Sequence, residues 1–85
     1  MKLYSVKDLK SARFGNPFSS FNDEVAIRDF TTLCKDKNPN NLCGIYPEDF
    51  DLYCVGSFDE DTGAITPGVL FLVNGSSVAH PDKEA

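Results

Sequence analysis

The amino-acid sequence predicts an α+β fold: an antiparallel sheet of four to five strands packed on one helix, in β-β-α-β-β order. Three observations predict it. Asn22 to Asp36, NDEVAIRDFTTLCKD, has apolar residues that recur with a helical period. Asp51 to Thr66, DLYCVGSFDEDTGAIT, alternates on either side of an acidic turn, as a hairpin does. Val69 to Val73 is an unbroken apolar run of strand length. A chain of 85 residues holds one domain, expected at 1–79 with a flexible tail at 80–85.

Each element has a local reason. Lys2 to Lys7 alternates as a first strand, with Leu3 and Ser5 on one face and Tyr4 and Val6 on the other. Asp8 to Asn16 reads as a loop with a helical turn around Leu9 to Arg13, punctuated by Gly15-Asn16-Pro17. Phe18 to Phe21 is a short second strand that runs into the helix. There Asn22 is placed to cap the first free N–H groups, and Asp23 and Glu24 put negative charge at the positive end of the dipole. Phe21 is positioned to staple onto Ala26, and Glu24 stands four residues before Arg28 in the favourable order. At about 100° per residue, Ala26, Ile27, Phe30, Leu33 and Cys34 share one face, which a sheet must cover.

Lys37 to Pro47 is loop chemistry throughout, and its length marks it as mobile or as a contact surface. In the hairpin that follows, Gly63 suits the left-handed position closing the turn Asp59 to Gly63. Pro67-Gly68 interrupts the return strand. Val69 to Val73 then forms a strand of its own, and Asn74-Gly75 signals a further hairpin. The expected core is Leu3, Phe18, Ala26, Ile27, Phe30, Leu33, Leu52, Cys54, Phe58 and Ile65.

At 41% hydrophobic and 25% charged, the composition is that of a globular domain. The longest apolar run is far short of a membrane span, and MKLYSVKD lacks the apolar core of a signal peptide. The expectation is a cytoplasmic protein with no membrane contact. Cys34, Cys43 and Cys54 match no disulfide framework or zinc spacing. Cys34 and Cys54 read as small buried hydrophobes and Cys43 as a loop thiol.

Net charge is −5, unevenly spread. Residues 1–18 carry four cations and one acid, while residues 19–85 carry four cations and twelve acids. Such a chain repels polyphosphate as a whole, so contact with nucleic acid would be confined to the basic end or built by joining several basic ends.

Catalytic chemistry has little to stand on. His80 is the one histidine and lies in the tail; no nucleophile elbow, phosphate-cradling glycine loop or zinc signature is present. A calcium loop starting at Asp59 would need a polar fifth residue and a Glu twelfth, where this chain has Gly63 and Leu70. Asp59 to Asp61 therefore reads as a solvated turn, and Glu48, Asp49 and Asp51 as an exposed approach to a strand. No enzyme activity, metal or cofactor is expected.

The N-terminal quarter keeps two readings. Lys2, Lys7, Lys10 and Arg13 interleave with Tyr4, Phe14 and Phe18, the combination of cations and stacking rings that single-strand binders use. The plainer reading, favoured on residue chemistry alone, packs the rings on the helix and leaves the cations to solvent.

The opening MKLYSVKD, Pro17-Phe18, the helix NDEVAIRDF (Asn22 to Phe30) and YPEDFDLYCVGSFDEDTGAI (Tyr46 to Ile65) together resemble the small non-structural protein of gokushovirus-type microviruses. These are bacteriophages of the Microviridae with single-stranded DNA genomes. The resemblance covers roughly residues 1–67 in the same order and at similar spacing; Cys34, Cys43, the Asn38 to Asn41 loop and the segment after Pro67 depart from it. It implies a protein of the host bacterial cytoplasm, absent from the virion, that acts in viral DNA replication or in the switch to single-stranded synthesis and packaging. Lys2, Tyr4, Lys7, Lys10, Arg13 and Phe14 are the candidate single-stranded DNA contacts. The alternative is an acidic interaction module that binds a host or viral replication protein without touching DNA. Val69 to Val73 is more apolar than an exposed edge should be, so it is expected to be either covered or paired in a homo-oligomer.

Overall fold

Asn22 caps the helix as its side chain suggests: Oδ1 accepts from the Val25 N–H at 2.9 Å, and Asp23 and Glu24 fill the first turn. The computed structural model describes residues 1–80, and the rest of the expected tail lies outside the described residues. In chain order the elements are β1 (Lys2–Asp8), β2 (Arg13–Phe14), β3 (Phe18–Ser20), α1 (Asp23–Lys35), α2 (Leu42–Ile45), a 3-10 turn (Pro47–Asp49), β4 (Phe50–Phe58), β5 (Ile65–Asn74) and α3 (Gly75–Ala79).

The five strands form one antiparallel sheet in the order β2-β1-β4-β5, and β3 also pairs with β1. Because β4 pairs along the whole of β1, β2 and β3 share its other edge, one after the other. The α+β class and the antiparallel sheet are as expected. The element order is richer, since three helices replace one: α1 touches both α2 and α3, and the group covers one face of the sheet.

Four local readings are corrected. Asp8 to Asn16 contains strand β2, which closes a hairpin through Ala12 at φ 59°. Pro67-Gly68 does not end the return strand. Ile65 to Asn74 is continuous, and a register shift between Cys54 and Gly56 absorbs the extra residue as a bulge. Asn74-Gly75 is no hairpin but the start of α3, where Asn74 Oδ1 accepts from the Ser76 N–H at 2.9 Å. Part of the Lys37 to Pro47 loop folds as α2, held by Lys37 Nζ donating to the Gly44 carbonyl and by Asn41 Nδ2 donating to the Leu33 and Asp36 carbonyls.

The core is smaller than expected and centred one residue away. Tyr4, Ala26, Phe30, Cys34 and Leu52 are buried, with Val6, Ile27, Cys43, Phe50, Cys54, Leu72 and Val73 packed around them. Ala26, Phe30 and Cys34 recur every four residues, so the stripe on α1 is narrower than the sequence suggested and leaves Leu33 exposed. Phe18 and Ile65 are also exposed, and Leu3 and Phe58 are half-buried. Tyr4 displaces Leu3 because β1 turns Tyr4 and Val6 to the helices. Phe21 is 82% exposed and makes no staple onto Ala26.

Candidate functional site

The helices leave one face of the sheet open, and three rings cross it. Tyr53 on β4 meets Phe14 on β2 edge to face at 5.0 Å, and meets Phe71 on β5 the same way at 5.7 Å. Phe14 is 45% exposed and Phe71 49%. Strand pairing explains the alignment: Tyr53 stands opposite both Ser5 and Phe71, and Phe14 opposite Lys7, so all lie on the face turned away from Tyr4, Val6 and Leu52. Edge-to-face contact at these distances is a favoured arrangement of ring quadrupoles, so the strip is ordered before any ligand arrives. Ser5 Oγ donates to the Gly15 carbonyl at 2.8 Å, which holds the chain after Phe14 against the sheet.

The six candidate DNA contacts divide. Lys7 and Phe14 do come together, with the ammonium 5.4 Å from the ring centroid. Tyr4 is fully buried and its hydroxyl donates to Asp23 Oδ1 at 2.8 Å, so it offers no ring to stack on and leaves the candidate set. Burial, and next the Asp23 hydrogen bond, push the Tyr4 hydroxyl well above the usual phenol range. Lys2 is spent on the same carboxylate, 3.3 Å away. Arg13 stands opposite Asp8, one residue out of phase with Phe14, and so projects to the other face. Lys10 lines a cavity of about 340 Å³ on that other side, with Asp8, Leu42, Tyr46, Asp49 and Phe50. Among the described residues, Lys7 is the cation that touches the ring strip, and it sits opposite Asp51.

Tyr53 and Phe71 were missed at the sequence level. Tyr53 alternates with Leu52 and Cys54, which marks it as facing away from them, but nothing local says that this face stays uncovered. Phe71 lies within an apolar run that looks buried on both sides.

A family model described as Phage ORF5 protein matches residues 1–78. The chain belongs to this phage ORF5 family. Protein ORF5 of Chlamydia phage 1 is 37% identical to it over 79 residues, covering 87% of this chain and 82% of that protein. No solved structure matches the chain. The resemblance to a gokushovirus-type microviral protein is borne out, and the family match runs past Pro67, where the sequence reading had no firm pattern, to residue 78. The ring strip therefore belongs to a phage protein, and all three of its rings fall within the matched residues.

Proposed function

We propose that this phage protein is a non-enzymatic interaction module in viral DNA replication, engaging a host or viral replication protein through the open sheet face. The observation that supports this reading is the ring strip Phe14, Tyr53 and Phe71, partly exposed and accompanied by one cation in a chain of net charge −5. Exposed aromatic strips with few charges suit the desolvated centre of a protein interface. Nucleic acid asks for a track of cations beside the rings. Here Lys2 is paired with Asp23, and Arg13 and Lys10 lie towards the opposite face, so one strip neutralises about one phosphate.

The competing reading is direct binding of single-stranded DNA on the same strip, where each stacked base contributes about 1–3 kcal/mol. A titration with a labelled single-stranded oligonucleotide at low and at physiological salt separates the two. We expect no binding at physiological salt. The protein-binding half is then tested on a partner retained from infected cells and purified: its affinity for the wild type should fall at least tenfold with Tyr53→Ala, and Lys10→Ala should leave it unchanged. Tight DNA binding at physiological salt that Tyr53→Ala and Lys7→Ala both weaken would sink the proposal.

A further inference from the structure

From the free side of β5 we infer that a second copy of this chain docks there, in a two-fold contact centred on Leu70 and Phe71. Among the described residues, β5 is the outer strand of the sheet and pairs with β4 alone. Its outward N–H and C=O groups are therefore open to another chain. Its apolar side chains are uncovered on both faces: Val69 is 67% exposed and Leu70, opposite Cys54 on the helix side, 61%. The helices reach only its last residues, Leu72 and Val73. A small monomer does not ordinarily leave such a strip to water.

Charge selects the occupant. The ten residues of β5, ITPGVLFLVN, carry no charge in a chain of net −5. An acidic or basic partner would gain no ion pair from this strip. Two copies of an acidic protein, by contrast, can meet here without opposing like charges. Two-fold symmetry also makes the contact self-complementary, apolar against the same apolar residues. It fixes the orientation too. Antiparallel docking sends the acidic tips Asp59 to Asp61 of the two copies to opposite ends of the joined strands. The five residues of strand from Ile65 to Val69 on each side of the centre, at ~3.3 Å apiece, hold them well beyond the ~10 Å Debye length of 0.1 M salt. Parallel docking would set the tips side by side.

Pro67 lacks an N–H, and bulges in β5 opposite Cys54–Gly56 and Leu52–Tyr53 bend the strand. These confine backbone pairing to a few residues from Val69 onward, so side-chain burial carries most of the contact. Docking there places Phe71 of each copy at the junction and extends one ring strip into the other. The contact stands whether the strip takes protein or DNA.

Sedimentation equilibrium of the full chain without any ligand tests it. The expected result is a mass that doubles across the micromolar range, nearly independent of salt. Leu70→Glu, at an exposed position off the ring strip, should raise the dimer dissociation constant at least a hundredfold. Phe21→Glu, an equally acidic change at an exposed site elsewhere, should leave it unchanged. Amide exchange at Val69 to Val73 should slow as concentration rises. A wild type that stays monomeric to several hundred micromolar overturns the inference, as does a dimer that Leu70→Glu leaves intact. Strong tightening by salt overturns the antiparallel arrangement.

Discussion

The Tyr4 hydroxyl donates a 2.8 Å hydrogen bond to the Asp23 carboxylate, joining the buried centre of β1 to the first residue of α1. The contact ties the start of the helix to the sheet, and it gives a buried phenol its necessary partner. Tyr4→Phe should keep the fold and cost about 1 kcal/mol at neutral pH. The hydrogen bond from Tyr4, ahead of Lys2, holds the Asp23 carboxyl below its usual range. A lowered folded-state pKa contributes stability that is present above the ordinary carboxylate value and is lost as pH falls through the folded value. The difference between wild type and Tyr4→Phe in urea unfolding should therefore be full at pH 7 and shrink in strong acid. A difference that stays constant with pH would show the bond to be independent of Asp23 ionisation.

Asn74 does two tasks with one amide. Its Oδ1 caps α3, and its Nδ2 donates to Asp51 Oδ1 at 2.7 Å, to the Glu48 carbonyl at 3.1 Å and to the Phe50 carbonyl at 3.3 Å. Asn74→Ala should cost about 2–3 kcal/mol, part for the cap and part for the buried Asp51 left unpartnered. Asn74→Asp keeps a good cap but sets two carboxylates together. It should therefore be no more stable than the alanine variant in thermal unfolding.

Gly75 starts α3 in a tight place. A Cβ added there would stand 2.2 Å from the Pro47 carbonyl oxygen, whereas one at Gly68 would meet nothing within 4 Å. Gly75→Ala should destabilise by about 1–3 kcal/mol through forced backbone shifts. Gly68→Ala should change stability by less than ~0.5 kcal/mol. Chemical denaturation of both variants checks the contrast.

Burial pushes the Cys34 thiol up to about 12 and raises Cys43 as well. At pH 8 neither forms an appreciable share of thiolate, the species that reacts. Both should resist iodoacetamide in the native protein and label fully in urea, as followed by mass spectrometry of peptides.

Phe21 lies between β3 and the helix cap with its ring in solvent. Phe21→Ser should change stability by less than ~0.5 kcal/mol, in contrast to Phe30→Ala in the core, which should cost ~3–5 kcal/mol.

The helix was legible because its apolar spacing and its Asn22 cap are local and agree with one another. The Asp59 to Gly63 turn was legible for the same reason: Asp59 Oδ1 accepts from the Asp61 N–H, and Gly63 sits at φ 78°. Strand β2 was not legible, since two residues carry no periodicity. Asn74-Gly75 misled because the same pair suits a hairpin turn and a helix cap, and only the Asp51 and Pro47 neighbours decide between them. Of the candidate site, Lys7 and Phe14 were found because cations and rings interleave in the N-terminal quarter, while the β1–β2 pairing that sets them opposite one another was not legible. Tyr4 was lost to the core by its bond to Asp23.

By itself the sequence determined the α+β class, the amphipathic helix and the hairpin, all of which rest on spacings within short stretches, and its motifs resembled those of the phage family that the comparison bears out. Tertiary structure alone decided which face of the sheet stays open. Alternation along a strand says only that two faces differ, and the covered face is settled by where the helices land. That choice buried Tyr4 and left in the open Phe14, Tyr53 and Phe71, which strand pairing lines up from stretches far apart in the chain.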